Sequence, residues 1–391
     1  MKYILILGDG MADWPCDELG GKTPLEYAKT PNFDRIAREG RCGMLKTVPD
    51  SCEPGSDVAN LGVLGYNACD CYTGRGPLEA ASMGIDLGSC DIAYRCNLVT
   101  IKDDEMADFS AGHISSEEGA ELFKSLNEKL PESVRAYSGI SYRNLLVLKN
   151  GKGSCTKAPH DIAGQKTKEF LPAGGDQEIL LKCMEISREV FGDHPVNKKR
   201  ISENKAPATQ IWPWSGGKKP SIENFSKKYG LSGGMISAVD LLNGIAKCAG
   251  LKVIRVPGAT GYLDTDYAAK ADYSIKALYE DGLDFVYMHV EAPDEAGHLG
   301  SVREKVLAIE RLDQVTGKFL NRPDLCIAVL PDHPTPVAFK THTRDPVPFA
   351  VLGRGTDACS VYSEKEAKDK GSFGAVDAKD FLSIFFGLKN I

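Results

Sequence analysis

Lys2-Tyr3-Ile4-Leu5-Ile6-Leu7-Gly8-Asp9-Gly10 is the stretch that decides the fold. Tyr3–Leu7 is an unbroken apolar run that leaves no polar face for water. It therefore suits a central strand of a parallel sheet covered on both sides. Asp9 follows the glycine, just beyond the carboxyl end of that strand, where open α/β sheets bind their ligands. The pattern recurs twice: Phe285–Val290 precedes Asp294, and Cys326–Leu330 precedes Asp332. Three carboxylates far apart in sequence are thus expected to converge at neighbouring strand ends.

Working outward, Pro31–Gly40 reads as a short helix stopped by glycine, and Pro54-Gly55-Ser56-Asp57 leads into a second helix over Val58–Leu64. From Gly88 the character changes. Ala93–Ile101, Arg135–Ile140 and Tyr142–Lys149 read as strands and Glu117–Lys129 as a helix, a compact α+β pattern. From Asp176 a helix to about Val190 and strands at Thr209–Trp214, Gly234–Ala238, Lys252–Pro257 and Phe349–Leu352 resume an α/β alternation, with a helix over Val302–Leu320. The expected organisation is one discontinuous α/β core, residues 1–88 and 176–391, carrying an inserted domain at 89–175.

The 391 residues, 42% hydrophobic and 26% charged, suffice for two ordinary globular domains. A net charge of −7 offers no basic field for nucleic acid or an anionic membrane, so neither is expected as a partner. The longest apolar runs are strand-sized, far short of the roughly 20 residues of a membrane span. The N-terminal stretch lacks the small-residue cleavage site of a signal peptide. Twelve scattered cysteines with no C-x-x-C spacing read as free thiols of a reducing cytoplasm rather than a zinc ribbon.

Histidines complete the set of acids. His298 follows Asp294 by four residues, so on a helix both face one side. His333 adjoins Asp332, and His342 comes shortly after, so three of the seven histidines fall in this cluster. Taken alone, a D-x-x-x-H pair is a surface pair and Ser56 is a helix N-cap. Taken together, carboxylates and imidazoles suit Zn²⁺, Mn²⁺ or Fe²⁺. Ser56 at a helix N-terminus, where free N–H groups favour a phosphate, gains a second role as nucleophile. Two ions flanking it would clamp an entering phosphoryl group.

These residues resemble the alkaline phosphatase superfamily, and within it the archaeal-type cofactor-independent phosphoglycerate mutases. The resemblance runs through Gly8-Asp9-Gly10, Gly21-Lys22-Thr23-Pro24-Leu25-Glu26, Pro54-Gly55-Ser56-Asp57, Tyr72-Thr73-Gly74-Arg75-Gly76-Pro77, Val256-Pro257-Gly258-Ala259-Thr260-Gly261, Asp332-His333 and His342. It implies an alkaline-phosphatase-like, largely parallel sheet flanked by helices, with a smaller α+β insert. It also implies two divalent ions, manganese first and zinc, cobalt or magnesium as alternatives. One would be held by Asp294, His298 and His342, the other by Asp9, Asp332, His333 and the Ser56 hydroxyl. The implied reaction interconverts 2- and 3-phosphoglycerate, a step of glycolysis and gluconeogenesis, through a phosphoserine at Ser56, with closure of the two domains excluding water. Arg75, with Arg95, Arg143, His160 and Asp161 of the insert, would bind the substrate, and Asp161 is a candidate general base or a turn cap.

Ser141-Tyr142-Arg143 stands where archaeal relatives carry Gly-His-Arg, which keeps an ATP-dependent kinase of a small hydroxy-amino acid such as homoserine as the alternative reading. A phosphomonoester hydrolase is the third. Two look-alikes are set aside. Asp13 stands where a dinucleotide fingerprint needs glycine, and Cys16 where a P-loop needs its first glycine. The basic runs Lys198-Lys199-Arg200, Lys218-Lys219 and Lys227-Lys228 read as solvated faces, with Lys218 or Lys219 in reach of a phosphate.

Overall fold

A computed structural model describes residues 1–389. Its strands, in chain order, are β1 (Lys2–Gly8), β2 (Arg41–Lys46), β3 (Ile92–Lys102), β4 (Glu105–Asp108), β5 (Val134–Ile140), β6 (Arg143–Leu148), β7 (Gln210–Gly217), β8 (Gly233–Ile236), β9 (Lys252–Val253), β10 (Phe285–Val290), β11 (Leu325–Leu330), β12 (Val347–Leu352) and β13 (Gly374–Asp377). The chain folds as two compact units. One comprises Met1–Tyr72 and the chain from Ser221 onward, the other Thr73–Pro220.

The larger unit is built on an eight-stranded sheet in the order β13-β2-β12-β11-β1-β10-β8-β9. β1 lies in its middle, parallel to β10 on one side and β11 on the other. Ile4 to Leu7 are wholly buried, as are all six residues of β10 and of β11, so these strands carry no polar face. Gly8 is level with Val290 and Leu7 with Leu330. The carboxyl ends of β11, β1 and β10 therefore sit side by side, spaced by about 5 Å per strand. The segments that follow them carry Asp332, Asp9 and Asp294.

Parallel pairing does not run across the whole sheet. β12 is antiparallel to both β11 and β2. Residues 331–346, between β11 and β12, form no helix to carry the chain back along the sheet, so the chain simply turns round. That turn holds His333 and His342. β9 is also shorter than the expected Lys252–Pro257 strand, since pairing with β8 stops after Val253.

The smaller unit is a five-stranded antiparallel sheet, β4-β3-β6-β5 with β7 on the other side of β3, packed on helices Ser116–Asn127 and Gln177–Gly192. Its limits differ from the expected 89–175. Helix Arg75–Met83 belongs to it, and so does the chain to Pro220, because β7 pairs with β3 over Ala93–Val99 and Trp212 and Trp214 fill its core. Arg200, expected on a solvated face, is 2% exposed and bound to Glu118 at 2.6 Å and to the Ala111 carbonyl at 2.7 Å. Among the described residues no helix is long and apolar enough to cross a membrane.

Candidate active site

Ser56 is the first residue of helix Ser56–Val63, not its cap. Gly55, which has no side chain to cap with, occupies the N-cap position, and within the first turn Asp57 Oδ1 accepts from Val58 N at 2.9 Å. The Ser56 hydroxyl, free of that duty, lies 3.1 Å from His333 Nε2. Asn60, one turn on, is fully buried and ties the helix to the strand ends. Its Nδ2 donates to the Ser56 carbonyl at 2.8 Å and to Asp332 Oδ2 at 2.7 Å, and its Oδ1 accepts from the Tyr287 hydroxyl.

The seven expected ligands come together in two groups. The donor atoms of Asp9, Asp332 and His333 lie within 4.8 Å of one another, and so do those of Asp294, His298 and His342. In the first group, His333 Nε2 is 3.4 Å from Asp9 Oδ1 and 3.5 Å from Asp332 Oδ2. Asp332 is aimed by backbone donors, since its Oδ1 accepts from Gly10 N at 3.1 Å and His333 N at 2.9 Å. In the second, Asp294 and His298 share one face of helix Ala292–Leu299, with His298 Nε2 3.1 Å from Asp294 Oδ2. His342 Nε2 lies 3.5 Å from Asp294 Oδ1 and 3.0 Å from His298 Nε2. The groups adjoin, as the His333 and His342 rings are 4.1 Å apart between centroids.

Gly10 makes this proximity possible. Its φ is +57°, and a Cβ there would collide with Asp294 Oδ1 and Thr335 Oγ1 and lie 2.8 Å from Asp294 Cα. Thr335 hydrogen-bonds Asp294 Oδ1, and its hydroxyl is 3.3 Å from His333 Nδ1. Lys305, wholly buried, locks the floor by donating to Asp13 at 2.7 Å, the Ala12 carbonyl at 3.1 Å and the Thr335 carbonyl at 2.8 Å.

The electrostatics are those of a site short of positive charge. Burial, reinforced by the charges of Asp332, Asp294 and Glu291, pushes the Asp9 carboxyl well above the usual carboxylate range. Asp9 Oδ1 is buried and accepts no hydrogen bond among the described residues. Burial would also raise Asp294, but the bonds from His298 and His342 outweigh it and hold that carboxyl well below its ordinary value. The same bond pushes His298 up to about 9. Burial lowers His333 and favours its neutral form, the form that ligates a metal. An unpartnered buried carboxylate oxygen beside two more acids, and two imidazole nitrogens converging on a third acid, form a donor set that fits divalent cations.

His289 was not singled out from the sequence. It sits inside the apolar run of β10, fully buried, with Nε2 2.8 Å from Asp9 Oδ2 and Nδ1 3.2 Å from Ser237 Oγ. The available signal was a histidine in an otherwise apolar central strand, level with Leu7 and two residues short of an acid. Burial and nearby Lys270 keep it well below the ordinary imidazole range, so it is neutral and orients Asp9.

In the smaller unit, Arg95 is paired with Glu79 at 2.9 Å and lies 4.5 Å over the Trp214 ring. Burial lowers its guanidinium despite Glu79, and the charges of Arg75 and Arg143 add to that. His160 packs edge-on against Trp214 and is likewise lowered by burial, with Arg95 and Arg75 contributing. The charges of Arg75, Arg95 and Arg143 thus form one cationic group, with the lowered imidazole of His160 beside it. Asp161 lies between His160 and Lys157, its Oδ1 3.6 Å from His160 Nε2 and its Oδ2 3.1 Å from Lys157 Nζ. Lys219 is bound to Asp86 at 2.8 Å, and Lys218 contributes its carbonyl to Thr73.

An α/β chain whose neighbouring strand ends present two carboxylate–histidine groups beside a serine hydroxyl belongs to the class of enzymes that handle phosphoryl groups. The comparisons with known proteins narrow this. Residues 37–197 match the family model described as 2,3-bisphosphoglycerate-independent phosphoglycerate mutase. The enzyme of that name from Methanothrix thermoacetophila is 48% identical, over 98% of this chain and 99% of its own. A Geobacter sulfurreducens protein named as a probable one is 49% identical over 95% and 96%. The solved cofactor-independent phosphoglycerate mutase from Thermoplasma acidophilum superposes with a TM-score of 0.71 at 26% identity, over the whole of both chains. The PH0037 protein of Pyrococcus horikoshii gives 0.85 at 30%, over 99% and 97%. The chain belongs to the 2,3-bisphosphoglycerate-independent phosphoglycerate mutase family.

Proposed function

We propose that this chain is a phosphoglycerate mutase that interconverts 2- and 3-phosphoglycerate through a phosphoserine at Ser56. The observation that carries this is the Ser56 hydroxyl: released from capping, at a helix N-terminus, and 3.1 Å from a histidine that joins two groups of potential metal ligands. Asp9, Asp332 and His333 with Ser56 would hold one divalent ion, and Asp294, His298 and His342 another. Manganese is the first candidate. When bound, such ions would neutralise the carboxylates and would favour loss of the Ser56 hydroxyl proton at neutral pH.

In the first half-reaction Ser56 Oγ gives up its proton and bonds to phosphorus as the phosphorus–oxygen bond at C3 breaks. The proton ends on the released glycerate oxygen. Glycerate then turns within the site, and its 2-hydroxyl oxygen takes the phosphoryl group back, returning a proton to Ser56. Asn60 fixes the helix against Asp332 throughout, and the N-terminus of that helix, whose leading N–H groups lack intrahelical partners, would suit the incoming phosphate. Arg75, Arg95 and Arg143 supply a cationic group that suits the carboxylate and phosphate of a small phosphorylated hydroxy acid, and His160 beside them offers a neutral imidazole. The free cysteines are consistent with a cytoplasmic setting.

The test is an assay panel on intact protein at fixed Mn²⁺: each phosphoglycerate isomer without nucleotide or bisphosphoglycerate, homoserine with ATP, and a simple phosphomonoester. Isomer exchange that disappears in Ser56→Ala and on chelation is the expected result. Homoserine-dependent ATP consumption, or steady phosphate release without isomer exchange, would overturn the proposal.

A further inference from the structure

Cys52 and Cys69 are not used by the proposed transfer. Cys52 lies in the loop that leads into helix Ser56–Val63, four residues before Ser56, and Cys69 in helix Ala68–Cys71. Their Sγ atoms are 3.0 Å apart, and Ser51 Oγ lies 3.1 Å from Cys69 Sγ. Cys69 is exposed and Cys52 half-buried. Cys90 and Cys155 are equally exposed, but neither has another cysteine placed like this against its sulfur among the described residues. We propose that Cys52 and Cys69 form a reversible oxidation site that a peroxide closes to a disulfide.

The pair divides the chemistry between its members. Hydrogen bonds from Cys52 and then Ser51 lower the Cys69 thiol below its ordinary value, whereas burial raises Cys52. The thiolate is the reactive form, so Cys69 meets the oxidant first. Its sulfur attacks one peroxide oxygen, the O–O bond breaks, and hydroxide leaves, giving a sulfenic acid. Cys52 sulfur then attacks the Cys69 sulfur. The S–O bond breaks, the Cys52 proton goes to the departing oxygen, and water is released. Two thiols are oxidised and one peroxide is reduced. Bond formation needs the sulfurs to approach by only about 1 Å.

The product would tether the loop before Ser56 to helix Ala68–Cys71. That loop is already held by Arg344, which donates to the Pro49 carbonyl at 3.4 Å and the Asp50 carbonyl at 2.9 Å. Oxidation thus adds a covalent restraint to the segment that presents Ser56, and thiols remove it.

The experiment uses the full chain, limiting hydrogen peroxide, alkylation of the remaining thiols and peptide mapping without reductant. The expected product joins the Cys52 and Cys69 peptides with loss of two hydrogens, precedes oxidation of Cys90 and Cys155, and reverts with dithiothreitol. In Cys52→Ser, Cys69 stops at a sulfenic acid that a dimedone probe captures. In Cys69→Ser, Cys52 stays free. Recovery of both cysteines as free thiols while Cys90 and Cys155 oxidise would overturn the proposal. So would linkage of Cys69 to Cys71, or an undiminished dimedone signal in the native chain. These readouts follow sulfur rather than turnover, so they stand or fall apart from the mutase reading.

Discussion

Replacing Asn60 by alanine tests the join between the Ser56 helix and the strand ends. Two buried partners are stranded: Asp332 Oδ2, which loses a bond at 2.7 Å, and the Tyr287 hydroxyl, which loses its acceptor. A hydrogen bond to a charged group is worth about 1.5–3 kcal/mol, and an orphaned buried hydroxyl costs about 1–3 kcal/mol. Asp332 keeps its two backbone donors on Oδ1, so the sum falls towards the lower half, roughly 3–4 kcal/mol. For a unit of this size each kcal/mol moves the midpoint by about 2–4 °C, so Asn60→Ala should lower Tm by roughly 6–16 °C. The helix that carries Ser56 also loses its anchor, and a displacement near 1 Å costs on the order of 10²-fold in rate. Turnover should fall while KM changes little, because Asn60 positions the nucleophile and does not touch substrate. The measurements are thermal unfolding and steady-state isomer exchange. Tyr287→Phe in the same background removes one orphan and should restore part of the lost Tm. Unchanged Tm and turnover in Asn60→Ala, or no rescue by Tyr287→Phe, would refute the reasoning.

Three further outcomes follow from single contacts. Gly10→Ala forces a Cβ into Asp294 and Thr335 at a positive φ, so the protein should lose manganese retention in equilibrium dialysis even where it still folds. Glu364 is half-buried beside the Thr23 hydroxyl, and burial raises its carboxyl to about 7. Its folded pKa lies above the unfolded one, so the native state gains from the proton at low pH and loses that advantage as pH rises through 7. Glu364→Gln should match the parent Tm at about pH 4 and exceed it at about pH 8.5 by roughly 2–5 °C, after discounting for the side chain's exposure. Arg95→Lys keeps the charge but loses the planar group between Glu79 and the Trp214 ring, so KM for phosphoglycerate should rise about ten-fold with kcat nearly unchanged, read by steady-state kinetics.

The parts legible in the sequence are those fixed by local rules. A wholly apolar run has one stable place, the middle of a covered sheet, and an acid just past it must lie at the strand end. That logic places Asp9, Asp294 and Asp332 without knowledge of strand order. The D-x-x-x-H spacing gives the Asp294–His298 face directly, because helical periodicity is local. What was not legible depended on partners distant in sequence. β7 reads as a strand, but nothing in Gln210–Gly217 says that it pairs with β3 rather than with the main sheet, so the expected boundary near 175 fell short of Pro220. Arg200 reads as part of a basic run because Glu118, which neutralises it, lies 82 residues away.

His289 and Asn60 show a stricter limit. Each is a polar group at 0% exposure whose meaning comes only from a neighbouring strand or helix end. β10 has to lie beside β1 before His289 can meet Asp9, and helix Ser56–Val63 has to reach the end of β11 before Asn60 can meet Asp332. Both side chains are neutral and make two or more hydrogen bonds, so neither relieves the repulsion among Asp9, Asp332 and Asp294; they only fix where Asp9 and Asp332 point. A fold that uses these neutral side chains to aim Asp9 and Asp332 at one region, and leaves Asp9 Oδ1 with no hydrogen bond among the described residues, gains stability at neutral pH when protons or cations supply the missing charge. Saturating Mn²⁺ should therefore raise the Tm of the parent more than that of Asp9→Asn, and equal gains in the two proteins would mean that Asp9 is not where the cation acts.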